Sequence, residues 1–185
     1  TARSCVGCHA CARVCPQGVH SFGESGHRVD FARCKACGAC ARVCPQEALS
    51  IVGREMSARE VLSIVERDRA FYDTTGGGMT VSGGEPTFQS EFLLALLQGA
   101  KELGISTALE TNGYIAPQVL DRVAPLTDLF LLDFKLTAPE GLARETGARG
   151  DGWEQTMEVL ARMEKPVILR MPGIPGINDT DEHFR

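Results

Sequence analysis

The segments CVGCHACARVCPQGV, opening at Cys5, and CKACGACARVCPQEAL, opening at Cys34, are two copies of one phrase. Between them they hold all eight cysteines of the 185-residue chain, and none follows Cys44. Each copy runs Cys-x2-Cys-x2-Cys-x3-Cys-Pro, with Pro16 and Pro45 after the fourth cysteine. An even set of eight could serve disulfides, zinc or iron–sulfur clusters. A disulfide framework spreads its cysteines through a small chain, and zinc draws ligand pairs from two separate knuckles. The tight, repeated spacing favours the third reading. It also divides the chain: a small cysteine-organised unit, residues 1–52, precedes a cysteine-free remainder, residues 53–185.

The spacing is that of the bacterial ferredoxin run, in which three thiolates wrap one cubane and the fourth crosses to the other. By that rule Cys5, Cys8, Cys11 and Cys44 hold one [4Fe–4S] cluster, and Cys34, Cys37, Cys40 and Cys15 hold the second. The expected unit is a small ferredoxin-like α+β domain. Gly7, Ala10, Ala36, Gly38 and Ala39 are small enough to let the backbone close around a cluster and turn amides toward its sulfurs. Such a module relays electrons, and its thiolates imply a reducing, cytoplasmic setting. His9 and His27 read as solvated loop histidines, with tuning of a cluster as the lesser alternative, and His20 and His183 suggest no role.

After Cys44 the texture changes. Hydrophobic residues make up 43% of the chain, enough for a core, while a net charge of −5 argues against a nucleic-acid-binding surface. The longest apolar run, residues 92–97, is far too short to cross a bilayer. No charged-then-apolar leader opens the chain, which begins at Thr1 and stops at Arg185 in polar sequence, so a piece of a longer protein is expected. Ser57 and Glu60 form a capping box ahead of Val61, Leu62 and Val65 at helical spacing. MTVS, ISTALE, LFLLDF and PVILRM read as buried strands. They alternate with helices over EFLLALLQGAKEL, capped by Ser90 and ended at Gly104, then over residues 117–123 and 153–163. Trp153 reads as core, and ARETGARGDG (143–152) as a solvated loop. Alternating strands and helices predict βαβ units and a parallel sheet, with ligands bound beyond the carboxyl ends of the strands. Those ends carry SGGEP, ETNG, DFK and RMPGIPG. GGGMTVSGGEP is not a nucleotide phosphate loop, because Gly84 stands where the phosphate-binding lysine belongs.

Taken together, SGGEP after a glycine-rich strand, ALETNGY, LLDFK and RMPGIPG followed by ND resemble the glycyl-radical enzyme activating enzymes of the radical S-adenosylmethionine superfamily. The resemblance runs through the whole chain, because many members carry a two-cluster ferredoxin insertion just ahead of this region. It implies part of a partial (β/α)6, TIM-like barrel that cups S-adenosylmethionine. It also implies that Gly83, Gly84 and Glu85 form the strap for the cofactor's amino group, with Asp133, Phe134, Lys135 and Arg170 nearby. Glu110, Thr111 and Asp133 lie where some relatives hold a monovalent cation, with Glu110 in place of the commoner aspartate.

The implied activity is reductive cleavage of S-adenosylmethionine to a 5′-deoxyadenosyl radical, which takes hydrogen from a backbone glycine of a partner glycyl-radical enzyme. A flavodoxin or ferredoxin type donor would supply the electron, the two clusters relaying it. The family's third, radical cluster needs Cys-x3-Cys-x2-Cys, which these residues lack: Gly18 and Glu47 stand where the last cysteine would fall. The family places that motif upstream of the ferredoxin insertion, so truncation is the expected cause. Another ferredoxin-fused radical enzyme of the superfamily, or a simple electron carrier, are the rival readings.

Overall fold

The computed structural model describes residues 4–135, 151–179 and 181. The loop expected over 143–152 lies, but for its last two residues, outside the described residues, as does His183. The chain separates into two compact units, Thr1–Glu55 and Met56–Arg185.

The first unit has two short helices, α1 (Ala10–Val14) and α2 (Ala39–Arg42), each following the first cysteines of its phrase. Their N-caps, His9 and Gly38, both take left-handed backbone, with φ of 58° and 74°. Between them lies an antiparallel hairpin of β1 (His20–Gly23) and β2 (Gly26–Val29), in which Phe22 faces His27 and His20 faces Val29. Cys11 and Val19 are the only buried apolar side chains among the described residues of this unit. Val6, Phe31 and Val52 stand largely in solvent. A unit of this size with so little core is not held by hydrophobic burial alone.

The second unit is an α/β layer on a parallel sheet. It opens with α3 (Ala58–Val65), whose capping box forms as expected: the Glu60 amide donates to Ser57 Oγ at 3.3 Å, and the Ser57 amide donates to Glu60 Oε2 at 2.8 Å. A further helix, α4 (Arg69–Thr75), was not expected from the sequence. There follow β3 (Gly78–Val81), α5 (Ser90–Glu102), β4 (Ser106–Thr111), α6 (Pro117–Val123), β5 (Leu129–Asp133), α7 (Gly152–Arg162) and β6 (Val167–Arg170). The strands are all parallel and lie in chain order, β3-β4-β5-β6, so every carboxyl end points the same way.

The pleat sorts the side chains. Leu109, Phe130 and Leu132 are fully buried and pack with Leu93, Leu97, Leu120, Val123 and Leu160 from the helices. Glu110, Asp133 and Arg170 alternate with them and take the opposite face of the sheet. Ser90 does not cap α5 as expected. A 3-10 turn, Pro86–Gln89, precedes the helix, and the capping acceptor is the Glu85 side chain, which takes the Thr87 amide.

Candidate functional site

In the first unit the eight cysteines gather around two apolar cavities. One is lined by Cys5, Cys8 and Cys11 with Cys44; the other by Cys34, Cys37 and Cys40 with Cys15. Each cavity therefore takes three cysteines from one phrase and the fourth from the other, the grouping expected of the crossed pattern. The two crossing thiols have a shared local cause. Following Cys-Pro, the chain turns so that later amides face the sulfur: Ala48 N donates to Cys44 Sγ at 3.2 Å. The amides of Gln46, then of Ala48 and Leu49, hold the Cys44 thiol below its ordinary pKa. Those of Val19, then of Gln17 and Gly18, hold down Cys15, with the Arg33 charge adding to them. A lowered pKa favours the thiolate, the form that ligates metal. Burial acts the other way on Cys11 and pushes its thiol up. Four sulfur donors around each apolar cavity, with amides aimed at sulfur and little other core, fit an iron–sulfur cluster in each.

His9 is an exposed residue of the loop before α1, as expected, but His27 is not a solvated loop residue. His20 and His27 are half-buried on the inward face of the hairpin, with His20 Nδ1 and His27 Nε2 2.9 Å apart. Phe22 stacks on His27 at 4.7 Å, and His9, itself exposed, stacks on Phe22 at 3.9 Å. The alternation of His20, Phe22, His27 and Val29 about the Glu24–Ser25 turn was the signal for this hairpin.

In the second unit the strand ends form a small polar cleft lined by Gly83, Gly84, Asp133 and Lys135 of the expected set, and by Glu110 and Asn112. Gly83 and Gly84 have φ of +97° and +52°, left-handed backbone that favours glycine. Lys135 Nζ donates to Asp133 Oδ2 at 2.8 Å. Arg170 grips Glu110 with both ends of its guanidinium, at 2.9 Å each, and reaches Asp133 Oδ1 at 3.3 Å. The Glu110 carboxylate, with a smaller contribution from Asp133, raises the Arg170 pKa.

Glu85, Phe134 and Arg170 are not among the residues that line this cleft. The Glu85 carboxylate is engaged by the protein. Its Oε1 accepts from Thr87 N (3.3 Å), Thr87 Oγ1 (2.9 Å) and Thr111 Oγ1 (2.9 Å), and its Oε2 accepts from Asn112 N (2.9 Å). The strap after β3 is thus fastened to the turn after β4. The Phe134 ring leans on Trp153 at 5.0 Å. Thr111, Glu110 and Asp133 do not converge as free ligands of a cation: Glu110 is held by Arg170, and the Thr111 hydroxyl by Glu85.

Two side chains behind the cleft had no site role in the sequence reading. Trp153 Nε1 donates to the Asp133 carbonyl at 3.2 Å, bracing the end of β5. Asn178, 1% exposed, donates to the carbonyls of Lys135 (2.8 Å) and Pro172 (2.7 Å) and accepts from Ile174 N (2.6 Å). It ties the RMPGIPG segment to the end of β5, and its place in the motif was the available signal.

Among known proteins, a profile of the Radical SAM superfamily matches residues 32–185, and one of the 4Fe-4S dicluster domain matches residues 4–48. The chain belongs to the Radical SAM superfamily. It is 41% identical over 184 residues to the choline trimethylamine-lyase activating enzyme of Oleidesulfovibrio alaskensis, covering 98% of this chain and 59% of that protein. It is 38% identical over 181 residues to the trans-4-hydroxy-L-proline dehydratase activating enzyme of Clostridioides difficile, covering 97% and 60%. The chain thus spans about three-fifths of the length of these curated relatives. Among solved structures, a domain of pyruvate-formate lyase-activating enzyme from Bacteroides vulgatus superposes with a TM-score of 0.53 at 26% identity, over 57% of this chain and 66% of that one. No helix among the described residues is long and apolar enough to cross a membrane.

Proposed function

We propose that the chain forms part of a glycyl-radical enzyme activating enzyme acting on a partner protein in the cytoplasm. The observation that carries this reading is the cleft where the Gly83–Gly84 strap, Asp133 and Lys135 meet at the carboxyl ends of parallel strands. The activating enzymes among its relatives support it. S-adenosylmethionine, once reductively cleaved, supplies the 5′-deoxyadenosyl radical that takes a hydrogen atom from a backbone glycine of the partner.

The chain's own part is to bind and orient. Gly83 and Gly84 present backbone to the ligand at close range, since no side chain intervenes. Asp133 and Lys135 offer opposite charges, already paired, for the polar end of a zwitterion. Glu85 holds the strap in place. A cluster with an open iron belongs to a Cys-x3-Cys-x2-Cys motif that these 185 residues do not contain. The eight cysteines present would hold two further clusters, whose chemistry would be the relay of electrons from a flavodoxin or ferredoxin type donor.

The test is Gly84→Val in the full-length protein. S-adenosylmethionine binding, 5′-deoxyadenosine and the glycyl-radical signal on the partner should fall together, while iron content stays constant. Normal values in the variant, or a wild type that yields neither product, would overturn the reading.

A further inference from the structure

We propose that His27 and His20 form a hydrogen-bonded bridge between the two cluster cavities, in which His27 donates to His20 and His20 donates to cluster sulfur in the second. The inference rests on the two-cluster reading of the cysteines. His27 lines the cavity of Cys5, Cys8, Cys11 and Cys44, and its Nε2 lies 3.8 Å from Cys11 Sγ. His20 lines the cavity of Cys15, Cys34, Cys37 and Cys40. The two rings meet between, Nδ1 to Nε2, at 2.9 Å.

One proton lies in that contact, and the rest of the geometry says which ring owns it. His20 Nε2 is buried and has no hydrogen-bond partner among the described residues. If His20 Nδ1 carried the proton, a neutral His20 would turn a bare Nε2 lone pair into a cavity lined with thiolates. With the proton on His27 Nε2, that group donates its single hydrogen to His20 Nδ1. A neutral His20 then carries N–H at Nε2, an otherwise orphaned donor on the ring that lines the second cavity. A buried donor without an acceptor is costly, and the sulfurs of a cluster are acceptors of the right kind.

The bridge belongs to one half of the repeat only. The stretch after the second phrase, ALSIVG, has neither a histidine nor a strand. The hairpin of the first half therefore lines both cavities. Hydrogen bonds to cluster sulfurs raise the reduction potential by stabilising the more negative, reduced form. The bridge thus raises the potential of the second cluster.

The experiment is a reductive titration, followed by electron paramagnetic resonance, of the full chain reconstituted anaerobically with iron and sulfide. Wild type, His20→Leu and His20→Gln are compared, and Cys34→Ala identifies the signal of the second cluster. His20→Leu should lower that cluster's equilibrium constant for reduction about tenfold, or about 59 mV for a one-electron couple. The Gln amide places a donor near the Nε2 position and should restore most of it. A fully loaded His20→Leu at the wild-type potential would overturn the bridge. Should His20→Leu fail to load the second cluster, His20→Gln decides: wild-type potential supports the bridge and a lowered one refutes it. Cys11, His20 and His27 also bring three ligand atoms within 4.8 Å of one another. A single zinc bound there with the first cluster missing would refute the bridge and the two-cluster reading together, whereas eight irons with an unmoved potential would refute the bridge alone.

Discussion

Replacing Glu85 with alanine tests whether that carboxylate is a clamp between two strand ends. Two of its hydrogen bonds cross from the end of β3 to the end of β4, from Thr111 Oγ1 and from Asn112 N, each at 2.9 Å. Thr111 is 2% exposed, so its hydroxyl finds no water when the carboxylate goes. A hydrogen bond to a charged group contributes about 1.5–3 kcal/mol. Taking the low end for both, because Asn112 is half-exposed and water recovers part of its loss, Glu85→Ala should cost about 3 kcal/mol. Domains commonly have a total stability of about 5–15 kcal/mol, so the loss is large.

The assay is urea unfolding of the full chain followed by fluorescence. The chain has a single tryptophan, Trp153, which lies in the parallel-sheet unit and reports on that unit alone. The midpoint should fall while the slope with urea stays constant. Glu85→Gln should lose roughly half as much, since its amide keeps one acceptor oxygen but sets an N–H against a donor. A double-mutant cycle with Thr111→Val should show a coupling of about 1–2 kcal/mol. An alanine variant within about 0.5 kcal/mol of wild type, the spread of ordinary surface changes, would refute the clamp. So would a coupling near zero.

Gly113 has φ of +82°, and a Cβ there would stand 2.4 Å from Trp153 Cδ1 and 2.8 Å from Nε1. Gly113→Ala should therefore displace the indole from the Asp133 carbonyl, destabilise by about 2–3 kcal/mol and red-shift the fluorescence; an unshifted spectrum with unchanged stability would refute the packing. Asp128 shows a pH effect of definite sign. Burial pushes its carboxyl up, but the bonds from Lys101 and from the Thr107 amide outweigh it and hold the pKa below the ordinary 3.8. The folded state thus favours the ionised form. This contribution is fully present above about pH 3.8 and is lost as pH falls through the lower, folded value. Acid unfolding of Asp128→Asn should show a shallower fall in stability over that window than wild type, and identical slopes would contradict the assignment.

The four strands were legible because each is a short apolar run closed by glycine or a polar cluster, and a strand buried by helices on one face reads that way. The Ser57–Glu60 box was legible because both partners lie within one turn. Ser90 misled because capping propensity is local, whereas Pro86 starts a 3-10 turn four residues earlier and Glu85 supplies the cap. The hairpin at His20–Val29 was overlooked because histidine carries little strand signal, and its inward face is made of imidazoles rather than aliphatic side chains. Of the strand-end residues, Gly83, Gly84, Asp133 and Lys135 could be placed at one cleft from their positions alone. Their partners could not: that Glu85 faces Thr111 and Asn112, or that Arg170 takes Glu110 before Asp133, depends on register between strands some thirty to sixty residues apart.

That register has a consequence for the cleft. Glu110, Asp133, Lys135 and Arg170 carry two negative and two positive charges, each engaged by at least one of the others. A bare carboxylate at this position would be satisfied by water and would have to shed that water when a ligand arrived. Here the orientation of each group is fixed beforehand by its neighbours, by Trp153 on the Asp133 carbonyl and by Asn178 on the Lys135 carbonyl. On the proposed function, a zwitterionic ligand would exchange one set of oriented charges for another, leaving little reorganisation for the moment of binding. The apolar face of the same strands makes this possible. Phe130 and Leu132, fully buried beneath the helices, hold β5 rigid, so that Asp133 on the next pleat presents its carboxylate from a fixed backbone.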